Sequence, residues 1–276
     1  MQDESLVGRL ALVTGAARGL GLAIAERLAL DGAQVALCDV DADALDAAVA
    51  TLSGRGLSVS GWHCDIADSG AVAAMFGALA ARFGAVDILV NNAARVPDRP
   101  ADTVRRNAHY AYLSSPQPRR SLGFTSEISD EEWLRFWDVN VHGLFYCTRE
   151  ALRQMQPRRY GRIVNIASIA GLSAMSAHSP HYSASKGAVI AFTKSVAAEV
   201  AGDNILVNAM APGGVHTEAF EAYLQSLDET ARARLWQLIP LGRLGTLEEY
   251  AATVRHLAGQ HYLVGQVLSP NGGAVI

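Results

Sequence analysis

Apolar residues along this chain fall into two alternating rhythms. Short unbroken aliphatic runs such as Leu10-Ala-Leu-Val have the length and composition of strands buried on both faces. Between them lie longer Ala- and Leu-rich segments whose apolar positions recur every three or four residues, the helical period. The pattern predicts strands at Leu10–Thr14, Gln34–Cys38, Leu57–His63, Val86–Val90, Arg162–Ala167 and Ile205–Met210. It predicts helices at Gly21–Leu30, Ala42–Leu52, Ser69–Phe83, about Asp130–Gln156 and about Tyr182–Ala201. Such alternation folds as a parallel sheet covered by helices on both faces, the doubly wound α/β class. No repeat or low-complexity linker interrupts the 276 residues, so a single domain over 1–276 is expected.

Composition narrows the function. Half the residues are apolar, enough for a sizeable core, and the net charge is −4. Without a basic excess to neutralise phosphates, a nucleic acid or an anionic membrane is not an expected partner. The polar start, Met1 to Arg9, has no secretory pattern, and no apolar run is long enough to span a bilayer, so a soluble cytoplasmic protein is expected. Cys38, Cys64 and Cys147 are odd in number and lack metal-ligand spacing, which reads as buried free thiols.

Chemistry concentrates where strands end. Thr14-Gly15-Ala16-Ala17-Arg18-Gly19-Leu20-Gly21 joins the first strand to the first helix, a turn whose amides can approach a pyrophosphate at a helix N-terminus. Asp39 ends the second strand, where its carboxylate can accept from ribose hydroxyls and repel a 2′-phosphate, so NAD is preferred over NADP. Arg18 is the counter-signal: a guanidinium in the turn can recruit that phosphate or lie solvated. Asp65 follows the third strand, with adenine binding and helix capping as its two readings. Asn91-Asn92 follows the fourth strand and Ser168 the fifth, each also readable as an ordinary turn or strand-end residue. Tyr182 and Lys186 are four residues apart on one helix face, so a fixed ammonium could lower the phenol pKa and make the pair an acid/base.

In order along the chain, Thr14 to Gly21, Asp65, Asn91 to Ala94, Asn140, Ser168, Tyr182-x-x-x-Lys186, Pro212-Gly213 with Thr217, and Asn271-Gly272-Gly273 resemble the classical short-chain dehydrogenases/reductases. The resemblance implies a Rossmann-type fold of about seven parallel strands, a nicotinamide cofactor and a homotetramer. It makes Tyr182 the acid/base, Lys186 the group that lowers its pKa and holds the nicotinamide ribose, and Ser168 a hydrogen-bond partner of the substrate oxygen. It has the Asn140 side chain hold a water leading to Lys186. Gly15, Arg18, Gly19, Leu20, Gly21, Asp39, Asp65, Ile66, Asn91, Pro212, Gly213, Val215 and Thr217 complete the cofactor site. The implied reaction is NAD-dependent interconversion of a small-molecule secondary alcohol and its ketone. An NADPH-dependent 3-oxoacyl-type reductase is the alternative, and a silent dinucleotide sensor a third reading.

Two departures stand out. The connection at 95–126 is roughly twenty residues longer than the family's usual one and is read as a long loop, either an arginine-rich lid or a surface excursion. Ser168 and Tyr182 are 14 positions apart, one more than is commonest, with Ala174 and Met175 as candidate pocket walls. His178 and His181 adjoin Tyr182, but with no third ligand at convincing spacing no metal is expected. A substrate flap is expected at about 214–240, with Phe220, Tyr223, Leu224, Leu227 and Trp236 as candidate contacts.

Overall fold

Strand β1 (Leu10–Thr14) is buried along its whole length, and the chain is laid out from it in both directions. The structure is a computed structural model that describes residues 5–113, 116, 118–215, 224, 225 and 227–276. With β2 (Gln34–Asp39), β3 (Val59–His63), β4 (Ile88–Asn91), β5 (Gly161–Ile166), β6 (Ile205–Met210) and β7 (Val267–Leu268), β1 forms a parallel sheet ordered β3-β2-β1-β4-β5-β6-β7. The chain runs outward from β1 to β3 and then returns to pair β4 on the other side of β1. That reversal leaves a crevice outside the carboxyl ends of β1 and β4, where this class of sheet binds ligands.

Helices cover both faces, as the alternation predicts. One core layer joins α1 (Gly19–Leu30), α2 (Ala42–Gly54) and the late helix Leu247–Ala258 to the sheet through Ile24, Leu28, Leu45, Tyr250 and Val254. The opposite layer contains Phe76 and Leu79 of α3 (Ser69–Phe83) with Cys147 and Met155 from the fifth strand's preceding helix and Val196 from the long helix before β6. All three cysteines are buried and free. Asp41 and Asp68 cap α2 and α3 by accepting from Ala44 N and from Gly70 and Ala71 N.

The segment at 95–126 is helical over part of its length. Its described residues include α4 (Pro100–Leu113) and the start of the one-turn α5 (Phe124–Glu127). The residues that α4 buries are Asp102, Arg105 and His109, a polar stripe at helical spacing, so an apolar periodicity could not reveal it. The expected helix Asp130–Gln156 is also broken in character. It comprises α6 (Asp130–Trp137), a π-helical turn (Asp138–Gly143) and α7 (Leu144–Met155). Beyond it, α8 (Pro180–Val200) starts two residues before Tyr182, with Pro180 in its first turn. Helix α9 (Glu229–Gln237) and α10, the Leu247–Ala258 helix, precede β7.

Candidate active site

A cleft of about 700 Å³ opens above the crevice between β1 and β4. Gly15, Arg18, Leu20, Asp39, Asp65 and Ile66 line one end of it, and Tyr182, Lys186, Pro212 and Val215 line the other. The glycine turn makes the first end accessible. Gly15 has φ +63°, and a Cβ there would lie 2.7 Å from Ala93 Cα; a Cβ on Gly21 would collide with Gly15 O and Asn92 Nδ2. Arg18 at the N-cap of α1 makes no side-chain capping bond, and the first turn of that helix holds no acidic residue. The helix therefore presents uncapped amides and its positive dipole end beside a cleft wide enough for a dinucleotide, a fit to a pyrophosphate.

Asp39 is fixed where an adenosine ribose would be read. Oδ2 accepts from Ala17 N at 3.0 Å and Oδ1 from Asp41 N at 3.1 Å, leaving each oxygen a further lone pair. Arg18 does not point freely into the cleft: its guanidinium pairs with Asp41 at 3.0 Å. Asp65 is not the cap of α3, a role taken by Asp68. Its Oδ1 accepts from Ala67 N at 2.9 Å at the cleft wall.

At the other end, α8 and the strand end of β5 bring Tyr182, Lys186 and Ser168 together. Ser168 Oγ accepts from Ala170 N at 3.1 Å, and its interaction with the Tyr182 phenol favours the phenolate. A Cβ on Gly171 would lie 2.7 Å from Gly187 N, so the short turn after Ser168 packs directly on α8. Lys186 donates to Ile166 O at 2.7 Å, and its Nζ lies 5.9 Å from the Tyr182 ring centroid. Burial pushes the Lys186 ammonium down to about 8. Burial also raises Tyr182 above the usual phenol value, and the Ser168 hydrogen bond opposes that rise. The lowering by Lys186 expected from the spacing does not dominate, because the ammonium is directed at the Ile166 carbonyl.

Two asparagines differ from expectation. The Asn91 side chain does not reach the cleft: Nδ2 donates to Thr148 Oγ1 at 3.1 Å and Asn165 Oδ1 at 2.8 Å in the interior. Asn92 lines the cleft instead, tying the glycine turn through Thr14 O and Gly15 O. β4 ends at Asn91 and Asn92 N bonds back to Val90 O, so the chain turns between the two residues and sends their side chains to different places. Asn140, in the π-helical turn, is buried but does not line the cleft. Its Oδ1 accepts from Arg95 N at 2.7 Å, and Nδ2 donates to Arg95 O at 3.1 Å and Ser185 Oγ at 3.0 Å. Both amide hydrogens are thereby engaged, so the side chain acts as a brace between Arg95 and α8 and cannot donate to the expected water. Gly19, Gly21 and Gly213 form walls of the turns rather than cleft lining; Gly213 packs on Asn271 and donates to Pro270 O at 3.0 Å.

Thr217, Phe220 and Tyr223 lie outside the described residues. Leu224 is buried, whereas Ala174 and Met175 do not line the cleft. His178 and His181 face the insertion: His178 approaches His109 of α4 at 3.4 Å, and His181 Nε2 lies 3.8 Å from Asp102. Asp102, Glu132 and His181 cluster closely enough to ligate a cation, a grouping sequence spacing did not reveal. Arg105 already bridges the two carboxylates at 2.7 and 2.9 Å, which supplies their positive partner. Sequence reasoning also passed over Val40, Val96, Asp98 and Val139 in the cleft wall; none carries a distinctive spacing.

Comparison with known proteins agrees with this geometry. The family model for short chain dehydrogenase matches residues 9–228. A candidate ketoacyl reductase of the granaticin polyketide synthase from Streptomyces violaceoruber is 37% identical over 274 residues, covering 95% of this chain and 92% of its own. The 2-dehydro-3-deoxy-L-rhamnonate dehydrogenase (NAD(+)) of Sphingomonas sp. is 35% identical over 272 residues, covering 96% and 95%. A candidate gluconate dehydrogenase from Agrobacterium tumefaciens superposes with a TM-score of 0.84 at 30% identity, covering 99% and 98%. Shared fold, matched family pattern and full-length relatives lead to one conclusion: the chain belongs to the short-chain dehydrogenase/reductase family of oxidoreductases.

Proposed function

We propose that the protein interconverts a secondary alcohol and its ketone with NAD as cofactor, Tyr182 serving as the acid/base. The carrying observation is the carboxylate pair at the end of β2. Asp39 is fixed at the cleft wall, and Asp41 draws Arg18 into an ion pair. A 2′-phosphate would meet negative charge there and find its candidate cation engaged. Gly15, Leu20, Asp39, Asp65, Ile66, Pro212 and Val215, with Gly19, Gly21 and Gly213 shaping the turns, would hold the cofactor, and Thr217 would join them.

The bound nicotinamide would supply a hydride acceptor or donor. Tyr182 takes the hydroxyl proton in oxidation and returns it in reduction. Ser168 hydrogen-bonds the reacting oxygen and the phenol, stabilising charge on either. Lys186, with a value of about 8, is mostly protonated at pH 7 and contributes positive charge to the site. Asn140 braces the chain at Arg95 against α8 rather than touching the reacting atoms.

The relatives span, by name, a ketoacyl reductase and an NAD-linked sugar-acid dehydrogenase. The first supports an NADPH-dependent 3-oxoacyl-type reductase as the second reading. Steady-state kcat/KM with NADH and NADPH separates the two; a preference for NADPH that disappears in Arg18→Ala would replace the first reading with the second. A homotetramer in the cytoplasm belongs to the same proposal: Phe145 on α7 remains 42% exposed beside Phe192 of α8, an apolar face suited to a subunit contact. Light scattering tests it, and a monomer at micromolar concentration would refute it.

A further inference from the structure

Six charged side chains line the cleft: Arg18, Asp39, Asp65, Arg95, Asp98 and Lys186. Five of them are engaged within the protein. Arg18 pairs with Asp41, Asp39 and Asp65 accept from backbone amides, Asp98 pairs with Arg135 at 2.7 Å, and Lys186 donates to Ile166 O. Arg95 differs. Among the described residues its guanidinium makes no hydrogen bond or ion pair, while its backbone is held on both N–H and C=O by Asn140. Neighbouring arginines of the same insertion are neutralised locally: Arg99 by Glu131, Arg105 by Asp102 and Glu132.

Position matters as much as charge. Asn140 bonds Ser185, three residues beyond Tyr182 on α8, so one side chain ties the Arg95 backbone to the catalytic helix. A long flexible cation on a rigid root, in the wall of the cleft that Tyr182 also lines, is suited to capture one group of a substrate while another is presented to Tyr182. Asp98, three residues on in the same wall, is held by Arg135 at 2.7 Å rather than by Arg95.

We infer that Arg95 binds an anionic group, a carboxylate or a phosphate, on the substrate, so that the enzyme acts on hydroxy acids or phosphorylated alcohols in preference to neutral alcohols. This rests on the oxidoreductase reading above. It makes Arg95 a specificity-determining residue and gives the insertion that begins there a functional reason to leave the usual path.

The test uses the full chain with NAD and a panel of secondary alcohols, each offered as its carboxylate, its methyl ester and, where available, a phosphate analogue; 3-hydroxybutanoate, methyl 3-hydroxybutanoate and glycerol 1-phosphate begin it. An anion should exceed its neutral counterpart roughly 10- to 100-fold in kcat/KM, the range of a charge-assisted hydrogen bond. The carboxylate and phosphate arms tell which anion is preferred. Arg95→Gln should erase the difference, Arg95→Lys should restore part of it, and the dissociation constant for NAD should stay within about twofold. Esters used as well as acids would overturn this inference and leave the oxidoreductase reading intact. NAD binding weakened in parallel with substrate would assign Arg95 to the cofactor and overturn it too. No turnover of any panel member with either cofactor would refute the underlying reading, and this inference with it.

Discussion

His181 Nε2 lies 3.8 Å from Asp102 Oδ1, although 79 positions of sequence separate them and both side chains are buried. Through this contact α4 is seated against the start of α8, one residue before Tyr182. Neither ring nitrogen of His181 has a hydrogen-bond partner among the described residues. The insertion is thus joined to the catalytic helix by a charged and aromatic layer, in which Phe136 stands edge-on to His181 at 4.3 Å.

That layer makes the protein sensitive to acid. Burial pushes His178 down to about 4, aided by His109 and Arg106 and opposed by Asp102; burial also lowers His109 and His181. The unfolded chain binds protons at these histidines from about 6.5 downward, whereas the folded chain resists, so ΔG of unfolding falls as pH drops from 6.5 toward 4. His178 alone accounts for about 2 kcal/mol at pH 5. Urea midpoints at pH 7.5 and 5 should show the loss, with a smaller change in His178→Gln. Equal pH dependence in the two proteins would remove His178 from the account.

Tyr182→Phe should lower kcat by at least about 10²-fold, the lower end of general acid–base contributions, while NAD binding persists. Because burial raises the phenol pKa, oxidation should accelerate with rising pH and reduction should slow as the phenol deprotonates. Stopped-flow rates in both directions between pH 6 and 10 check this. A phenylalanine variant with near-normal turnover rules out Tyr182 as the acid/base.

Residues whose role depends on local chemistry and strand order were legible before the fold was seen. The glycine turn, Asp39, Tyr182 and Lys186 meet at one cleft because parallel strands place their carboxyl ends together, a consequence of alternation alone. Roles that depend on side-chain direction were not. Asn91 and Asn92 are adjacent and identical, and only the turn at the end of β4 decides which faces the cleft. Helix α4 escaped because its buried stripe, Asp102, Arg105 and His109, has the right period and the wrong polarity. Those polar groups become buried only through partners distant in sequence, Glu132, His178 and His181, and no local pattern encodes such partners.

The Asn91 assignment can be checked separately from catalysis. Its Nδ2 begins a buried chain through Asn165 to Thr193 Oγ1, which donates to Val189 O, crossing from β4 through β5 to α8. Asn91→Leu would leave Asn165 and Thr148 short of a partner at a cost of about 1–3 kcal/mol. Thermal melts should show that loss. The KM for NAD should change less than about twofold, since one misplaced uniform contact would be worth more. A large KM change without loss of stability would return Asn91 to the cofactor site.

Asp41 separates charge from capping in the choice of cofactor. Its Oδ2 pairs with Arg18, while Oδ1 accepts from Ala44 N at the start of α2. Asn caps a helix as well as Asp does, so Asp41→Asn keeps the cap and removes the charge that holds Arg18. The ion pair is solvent-exposed and contributes roughly 0–1 kcal/mol, so the melting temperature should hardly move. The freed guanidinium gains a 2′-phosphate as its best remaining partner, and kcat/KM with NADPH should rise several-fold, within the roughly tenfold reach of one charge-assisted contact. Asp39 still opposes that phosphate, which keeps the change short of a reversal; Asp39→Ala with Asp41→Asn should complete it. Unchanged NADPH kinetics in the single variant would show that Arg18 cannot reach the phosphate, leaving Asp39 as the residue that sets the preference.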